Sequence, residues 1–87
     1  MQQSLEAASM AVIQVLQEVT GCSQIRLDDD FYLIGGHSLL ILQVIRGLRR
    51  EFGLDLDPVQ FSVNSQVAAL ITACRPTPDS LQQGSDG

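Results

Sequence analysis

Apolar positions recur every three or four residues over three stretches of the chain and lose that spacing between them. In the first stretch Leu5, Ala8, Val12, Val15, Leu16 and Val19 share one helical face, with Glu6, Gln14, Gln17 and Glu18 opposite. Ser4 can cap its start and Gly21 its end, which predicts a helix to about Thr20. The second stretch begins at Ser38 or Leu39 and runs to about Phe52, where Gly53 stops it; Ile41, Val44, Ile45, Leu48 and Phe52 form its core stripe. The last places Val67, Leu70, Ile71 and Cys74 on one face, with Ser65 as cap and Arg75-Pro76-Thr77-Pro78 as the stop. Before it, Asp57-Pro58 has the form of a cap followed by a first-turn proline, which predicts a single short helix over Val59-Gln60-Phe61-Ser62. The pattern is that of an all-α domain with three main helices and one short one.

Two features exceed what a plain bundle requires. The connection from Gly21 to Ser38 is too long for an ordinary loop, and Ile25, Leu27, Phe31, Tyr32, Leu33 and Ile34 punctuate it. Several of these side chains are expected to lie on the bundle, making an ordered loop with one short helical turn. Within it, Asp28-Asp29-Asp30 suggests calcium, but a calcium loop starting at Asp28 needs glycine sixth and glutamate twelfth, where Leu33 and Leu39 stand. A solvated turn with one capping aspartate is the reading that remains. The second excess is Leu39, Leu40 and Leu42, which the core stripe does not use. Either the loop covers them or they form a docking surface, and different leucines can do each. Arg46, Arg49 and Arg50 follow, suited to the C-terminal end of a helix.

At 87 residues the chain is one domain, and the absence of tryptophan and scarcity of other aromatic residues suit helices better than a sandwich. Ten acidic against five basic residues, net −5, argue against a nucleic-acid partner. No apolar run approaches a membrane span and no signal-peptide pattern opens the chain, so a cytoplasmic protein is expected. Cys22 and Cys74 stand far apart with only His37 to help, which excludes zinc and predicts two free thiols, Cys74 being buried. Nor is there an enzyme's equipment: His37 neighbours Ser38 without an evident acid partner, and phosphate-binding and dinucleotide fingerprints are missing. The segment 76–87, rich in Ser, Gln, Gly and Asp, reads as a disordered tail behind a folded domain of residues 1–75.

The chemistry concentrates in Gly35-Gly36-His37-Ser38-Leu39-Leu40. Two glycines supply a tight turn, and Ser38 is placed at the first position of a helix, read as a capping serine with its hydroxyl at the positive end of the helix dipole. The longer segment Asp30-Phe31-Tyr32-Leu33-Ile34-Gly35-Gly36-His37-Ser38-Leu39-Leu40 resembles the phosphopantetheine attachment motif of carrier proteins. With histidine before the serine it is most similar to peptidyl carrier (thiolation) domains of nonribosomal peptide synthetases, and the likeness runs from about Leu5 to Ile71. The resemblance implies a four-helix carrier bundle and covalent 4′-phosphopantetheine, derived from coenzyme A, on Ser38. It makes Gly35, Gly36, His37 and Leu39 the motif around that serine. Leu39, Leu42 and Arg46 become the expected partner-docking residues, with His37 beside them. A carrier of this kind is no enzyme. It implies a separate phosphopantetheinyl transferase, an adenylation enzyme or domain, and condensation, thioesterase or tailoring enzymes around a monomer.

Two departures stand out. Peptidyl carriers usually have a Leu-Phe pair and then a proline before the last helix, where this chain has Phe61-Ser62 and Ser65. The helix after the motif is also not acidic, unlike that of fatty-acid carriers. Three alternatives are an acyl or aryl carrier for fatty-acid or polyketide-type synthesis, a helical interaction module whose Ser38 only caps, and a small hydrolase using Ser38. An N-terminal Met1 and a polar end suit a stand-alone carrier, and a domain of a larger synthetase would read the same.

Overall fold

The computed structural model describes residues 5–77, so the expected cap at Ser4 and most of the expected tail lie outside the described residues. Helix α1 (Leu5–Thr20) buries Ala8, Ala11, Val12, Val15 and Leu16 and packs against both other long elements of the bundle. Its end is closed as the glycine predicted: Gly21 takes φ 79° and its N–H donates to the Gln17 carbonyl at 3.0 Å.

Helix α2 (Ser38–Gly47) crosses α1 at Gly47, where an added Cβ would stand 3.0 Å from Val15 Cγ1. The predicted helix to Phe52 changes character on the way. Leu48–Phe52 form a π-turn, closed by Gly53 at φ 65° donating to the Arg49 carbonyl at 3.2 Å. A wider turn carries its last residue off the stripe below, so Leu48 is buried while Phe52 is only partly so. After it, β1 (Leu54–Asp55) pairs antiparallel with β2 (Arg75–Pro76), Leu54 opposite Pro76 and Asp55 opposite Arg75. This two-residue pairing was not expected, because it is too short to show a period of its own. Beside it Arg49 and Asp55 make an exposed ion pair at 3.1 Å, the kind that contributes little.

The short helix α3 (Gln60–Val63) and the last helix α4 (Val67–Ala73) complete four helices. Asp57 does cap, although as a turn ahead of the helix: its carboxylate accepts the Val59 N–H at 2.9 Å and its carbonyl the Gln60 N–H at 2.9 Å. α3 therefore starts at Gln60 rather than directly after Pro58. At the other end Thr77 is 4% exposed and donates its N–H to the Gly53 carbonyl at 3.0 Å. Pro76, paired with Leu54 of β1, and Thr77, bonded to Gly53, thus pack one and two residues past the boundary expected at residue 75. Among the described residues no helix is long and apolar enough to cross a membrane.

Both cysteines are free. Cys74 ends α4 half-buried rather than buried, its thiol donating to the Leu70 carbonyl at 3.4 Å. Burial, and secondarily the Asp55 carboxylate, push this thiol from its ordinary 9.0 up to about 11. A raised folded pKa favours the native state fully below the unfolded value and less as pH rises through the folded one. Stability is therefore expected to fall between pH 9.0 and about 11, and Cys74→Ser to flatten that loss. Chemical unfolding at stepped pH checks this. An equal decline in the variant would place the cause elsewhere.

Candidate functional site

The long loop is built as a platform beneath Ser38. It opens with a turn in which the Asp29 carboxylate accepts the Arg26 N–H at 2.8 Å. Next comes the expected helical turn: the Asp30 carbonyl accepts from Leu33 N–H at 2.9 Å and Ile34 N–H at 3.1 Å. Three-residue spacing on this turn sends Phe31 and Ile34 inward and Tyr32 and Leu33 outward. Phe31 is fully buried, Ile25 and Ile34 are partly buried, and Leu27, Tyr32 and Leu33 stay exposed, Leu33 at 85%. Half of the loop's apolar side chains therefore do not lie on the bundle.

Phe31 holds the platform together. Its ring meets Phe61 of α3 edge-on at 4.9 Å and Tyr32 at 5.1 Å. Its carbonyl accepts the Gly36 N–H at 2.9 Å, bringing the glycine backbone directly over the ring. A Cβ on Gly36 would lie 2.5 Å from Phe31 Cζ, so no larger residue fits that approach. Gly35, at φ 111°, makes the left-handed bend that returns the chain toward α2.

That bend releases the chain into α2 at Ser38, one of the two starts expected. His37, with extended backbone (φ −156°, ψ 173°), occupies the N-cap of α2, and its carbonyl accepts the Leu40 N–H at 2.8 Å. Ser38 is the first helical residue, not the cap. Its side chain is exposed and its hydroxyl has no hydrogen-bond partner among the described residues. The reason is positional: a capping oxygen must sit on the last extended residue, and the glycine turn puts His37 there. The consequence is a hydroxyl at the start of a helix that no backbone group engages.

Ser65 departs from expectation in the same way. Gln66 takes the N-cap of α4, and the helix's first N–H groups are met by the loop: Val67 donates to the Asp29 carbonyl at 2.8 Å and Ala68 to that of Leu27 at 2.9 Å. The Ser65 hydroxyl turns instead to the Asp30 carboxylate, at 2.8 Å from Oδ1 and 3.0 Å from Oδ2. Asp29 and Asp30 are thus hydrogen-bond acceptors built into turns. Among the described residues no cluster of His, Cys, Asp or Glu is placed to hold a metal ion.

Beyond Ser38 the exposed side of α2 carries Leu39 (76% exposed), Leu42 (61%) and Arg46, and Arg50 is exposed on the π-turn that follows. Leu40 and Ile41 turn partly into the core, which divides the surplus leucines as the sequence allowed. Arg49 faces Asp55, whereas Arg46 and Arg50 form no ion pair among the described residues and flank a cleft of about 310 Å³ against Glu18 of α1. Leu33, Val59 and Val63 add exposed apolar area that the pattern did not single out. Their exposure comes from short turns, which lack the length for a periodic signal.

The chain matches a family model described as "Phosphopantetheine attachment site" over residues 11–74. Surfactin synthase subunit 3 of Bacillus subtilis (strain 168) is 37% identical over 62 residues, which is 71% of this chain and 5% of that protein. Enterobactin synthase component F of Shigella flexneri is 40% identical over 63 residues, 72% of this chain and again 5% of the relative. The hybrid PKS-NRPS synthetase ucsA of Acremonium sp is 27% identical over 84 residues, 97% of the chain but 2% of the relative. The chain therefore spans a small fraction of these proteins. A solved "Non Ribosomal PCP domain" superposes with a TM-score of 0.75 at 26% identity, covering 88% of this chain and 99% of that one.

Proposed function

The chain belongs to the phosphopantetheine attachment site family, and from that premise we propose that Ser38 is the residue on which it carries 4′-phosphopantetheine in nonribosomal peptide synthesis. One observation supports this above others: the Ser38 hydroxyl is exposed, unpartnered among the described residues, and held on a rigid glycine turn over Phe31. The chain also has the fold of a carrier domain, which is not catalytic.

In the proposed reaction Ser38 Oγ attacks the phosphorus that bears the pantetheine arm in coenzyme A. An O–P bond forms, the pyrophosphate P–O bond breaks, and 3′,5′-ADP leaves. The serine proton passes to a base of a separate phosphopantetheinyl transferase, since the sequence offers His37 no evident acid partner that would make it a base. The positive end of α2 favours the phosphodiester that remains on Ser38. Once attached, the group supplies a terminal thiol that holds an aminoacyl or peptidyl unit as a thioester. The protein's own part is to present that arm from a rigid point and to raise the local concentration of cargo at each enzyme it visits.

Partners in this reading are the transferase, an adenylation enzyme or domain, and condensation, thioesterase or tailoring enzymes, met in turn by a monomer in the cytoplasm, where coenzyme A is available. Leu39, Leu42 and Arg46 form the docking stripe because they run from the attachment point along the exposed side of α2. Leu42→Asp and Arg46→Glu are each expected to lower transferase kcat/KM about tenfold, corresponding to about 1.4 kcal/mol, while stability changes by less than about 0.5 kcal/mol. Steady-state loading with carrier as the varied substrate, beside thermal unfolding, reads both. Unchanged kinetics in the two variants would move docking off this stripe.

The primary test is intact mass after incubation with coenzyme A and a broad-specificity transferase. Gain of one phosphopantetheine unit is expected, and no gain in folded protein would overturn the proposal.

A further inference from the structure

The loop that delivers Ser38 is fastened at its midpoint to a distant part of the chain. Asp30 and Ser65 stand 35 residues apart, and the Ser65 hydroxyl donates to both oxygens of the Asp30 carboxylate, at 2.8 and 3.0 Å. The same carboxylate accepts the Tyr32 N–H at 2.9 Å. Next to this contact the Phe31 N–H donates to the Ser65 carbonyl at 2.9 Å, and Asp30 and Gln66 form a bridge between the two segments. From Phe31 the connection is continuous: its carbonyl holds the Gly36 N–H, its ring supports the Gly36 backbone, and two residues later stands Ser38.

We infer that the Asp30–Ser65 pair is a positioning clasp for the Ser38 hydroxyl, fixing the turn that presents it to the corner between α3 and α4. The inference rests on Ser38 being the attachment residue. Asp30 and Ser65 are positioning residues, since they act on the serine only through Phe31 and Gly36. The Asp30 carboxylate accepts three contacts from two segments, so removing the Ser65 hydroxyl leaves a half-buried carboxylate with the Tyr32 N–H alone. The loop then keeps its backbone bonds but loses the side-chain tie that selects one placement of the turn. Transfer to a hydroxyl demands alignment with the phosphorus, and misplacement of the order of an ångström is enough to slow it severely.

The docking stripe lies on α2 and this pair joins the loop to the corner before α4, so kinetics separate positioning from binding. With carrier as the varied substrate, Ser65→Ala is expected to lower transferase kcat about tenfold while KM stays within about twofold. Ser65→Thr, which keeps the hydroxyl, is expected to recover most of kcat. Hydrogen exchange at the Gly36 and Phe31 amides should quicken in Ser65→Ala while α1 amides remain as in the parent, marking a local release. An unchanged kcat, a fall no larger than the variant's unfolded fraction, or failure of threonine to rescue would overturn the clasp. Absence of loading in the parent itself would instead sink the attachment reading. Exchange at Gly36 would then still decide whether the pair holds the turn.

Discussion

Replacing Ser38 by alanine is expected to abolish phosphopantetheine loading and to leave the domain as stable as its parent. The first half follows from the chemistry, because alanine offers no oxygen to phosphorus. The second half comes from the structure. A true N-cap serine lost to alanine costs about 0.5–2 kcal/mol. Here Ser38 is the first helical residue, His37 holds the cap position, and the Ser38 hydroxyl makes no hydrogen bond among the described residues, so that cost is absent. Alanine is also the better helix former by a few tenths of a kcal/mol, and the net change is expected to stay within about 0.5 kcal/mol. Intact mass and thermal unfolding of parent and variant give both numbers. A variant that still gains the group would move attachment to another residue. One that loses more than about 1 kcal/mol would restore the capping role the structure denies.

The second large effect is structural. Gly36→Ala places a methyl 2.5 to 2.6 Å from three carbons of the Phe31 ring. That ring has nowhere to go: it is fully buried, edge-on to Phe61, and its own backbone bonds to Gly36 and Ser65. Overpacking of this kind costs about 1–3 kcal/mol, and a rigid aromatic neighbour puts the change at the upper end. For a domain this small, a loss of about 3 kcal/mol lowers the thermal midpoint by more than about 10 °C. Phe31→Leu in the Gly36→Ala background should recover part of the loss, although Phe31→Leu alone is destabilising. A double-mutant cycle measures that coupling, and strictly additive effects would show that the clash is not the cause. Gly35 makes a useful contrast. A Cβ there meets nothing nearer than 3.8 Å, so Gly35→Ala tests the cost of φ 111° rather than of space.

These two variants separate the roles of neighbouring motif residues. In the proposed function Ser38 contributes chemistry and almost no stability, whereas Gly36 contributes the close approach to Phe31 ahead of the serine. The clasp at Asp30 and Ser65 lies one step further back, holding the platform rather than shaping it.

Much of this protein is written locally. The stripes Ala8-Val12-Val15-Leu16 and Val44-Ile45-Leu48 specify α1 and α2, because a 3.6-residue repeat is stable only when its apolar face is covered. Gly21 and Gly53 mark helix ends because they alone accept a left-handed backbone cheaply, and both do so in the structure. The motif around Ser38 is equally local, a turn and a helix start within a few residues, and so the candidate site could be located without coordinates. Other features depended on the tertiary structure. His37 rather than Ser38 is the cap, since the exit angle of the turn is set by Phe31 packing under Gly36. Ser65 binds Asp30 instead of its own helix, and the Leu27 and Asp29 carbonyls cap α4 in its place. Pro76 and Thr77 are ordered by a strand partner beyond Phe52, and the π-turn before it has no mark in the apolar spacing. In each case a backbone group or side chain chose between a local partner and one distant in sequence. Local patterning encodes only the first option, and burial and geometry in the folded chain selected the second.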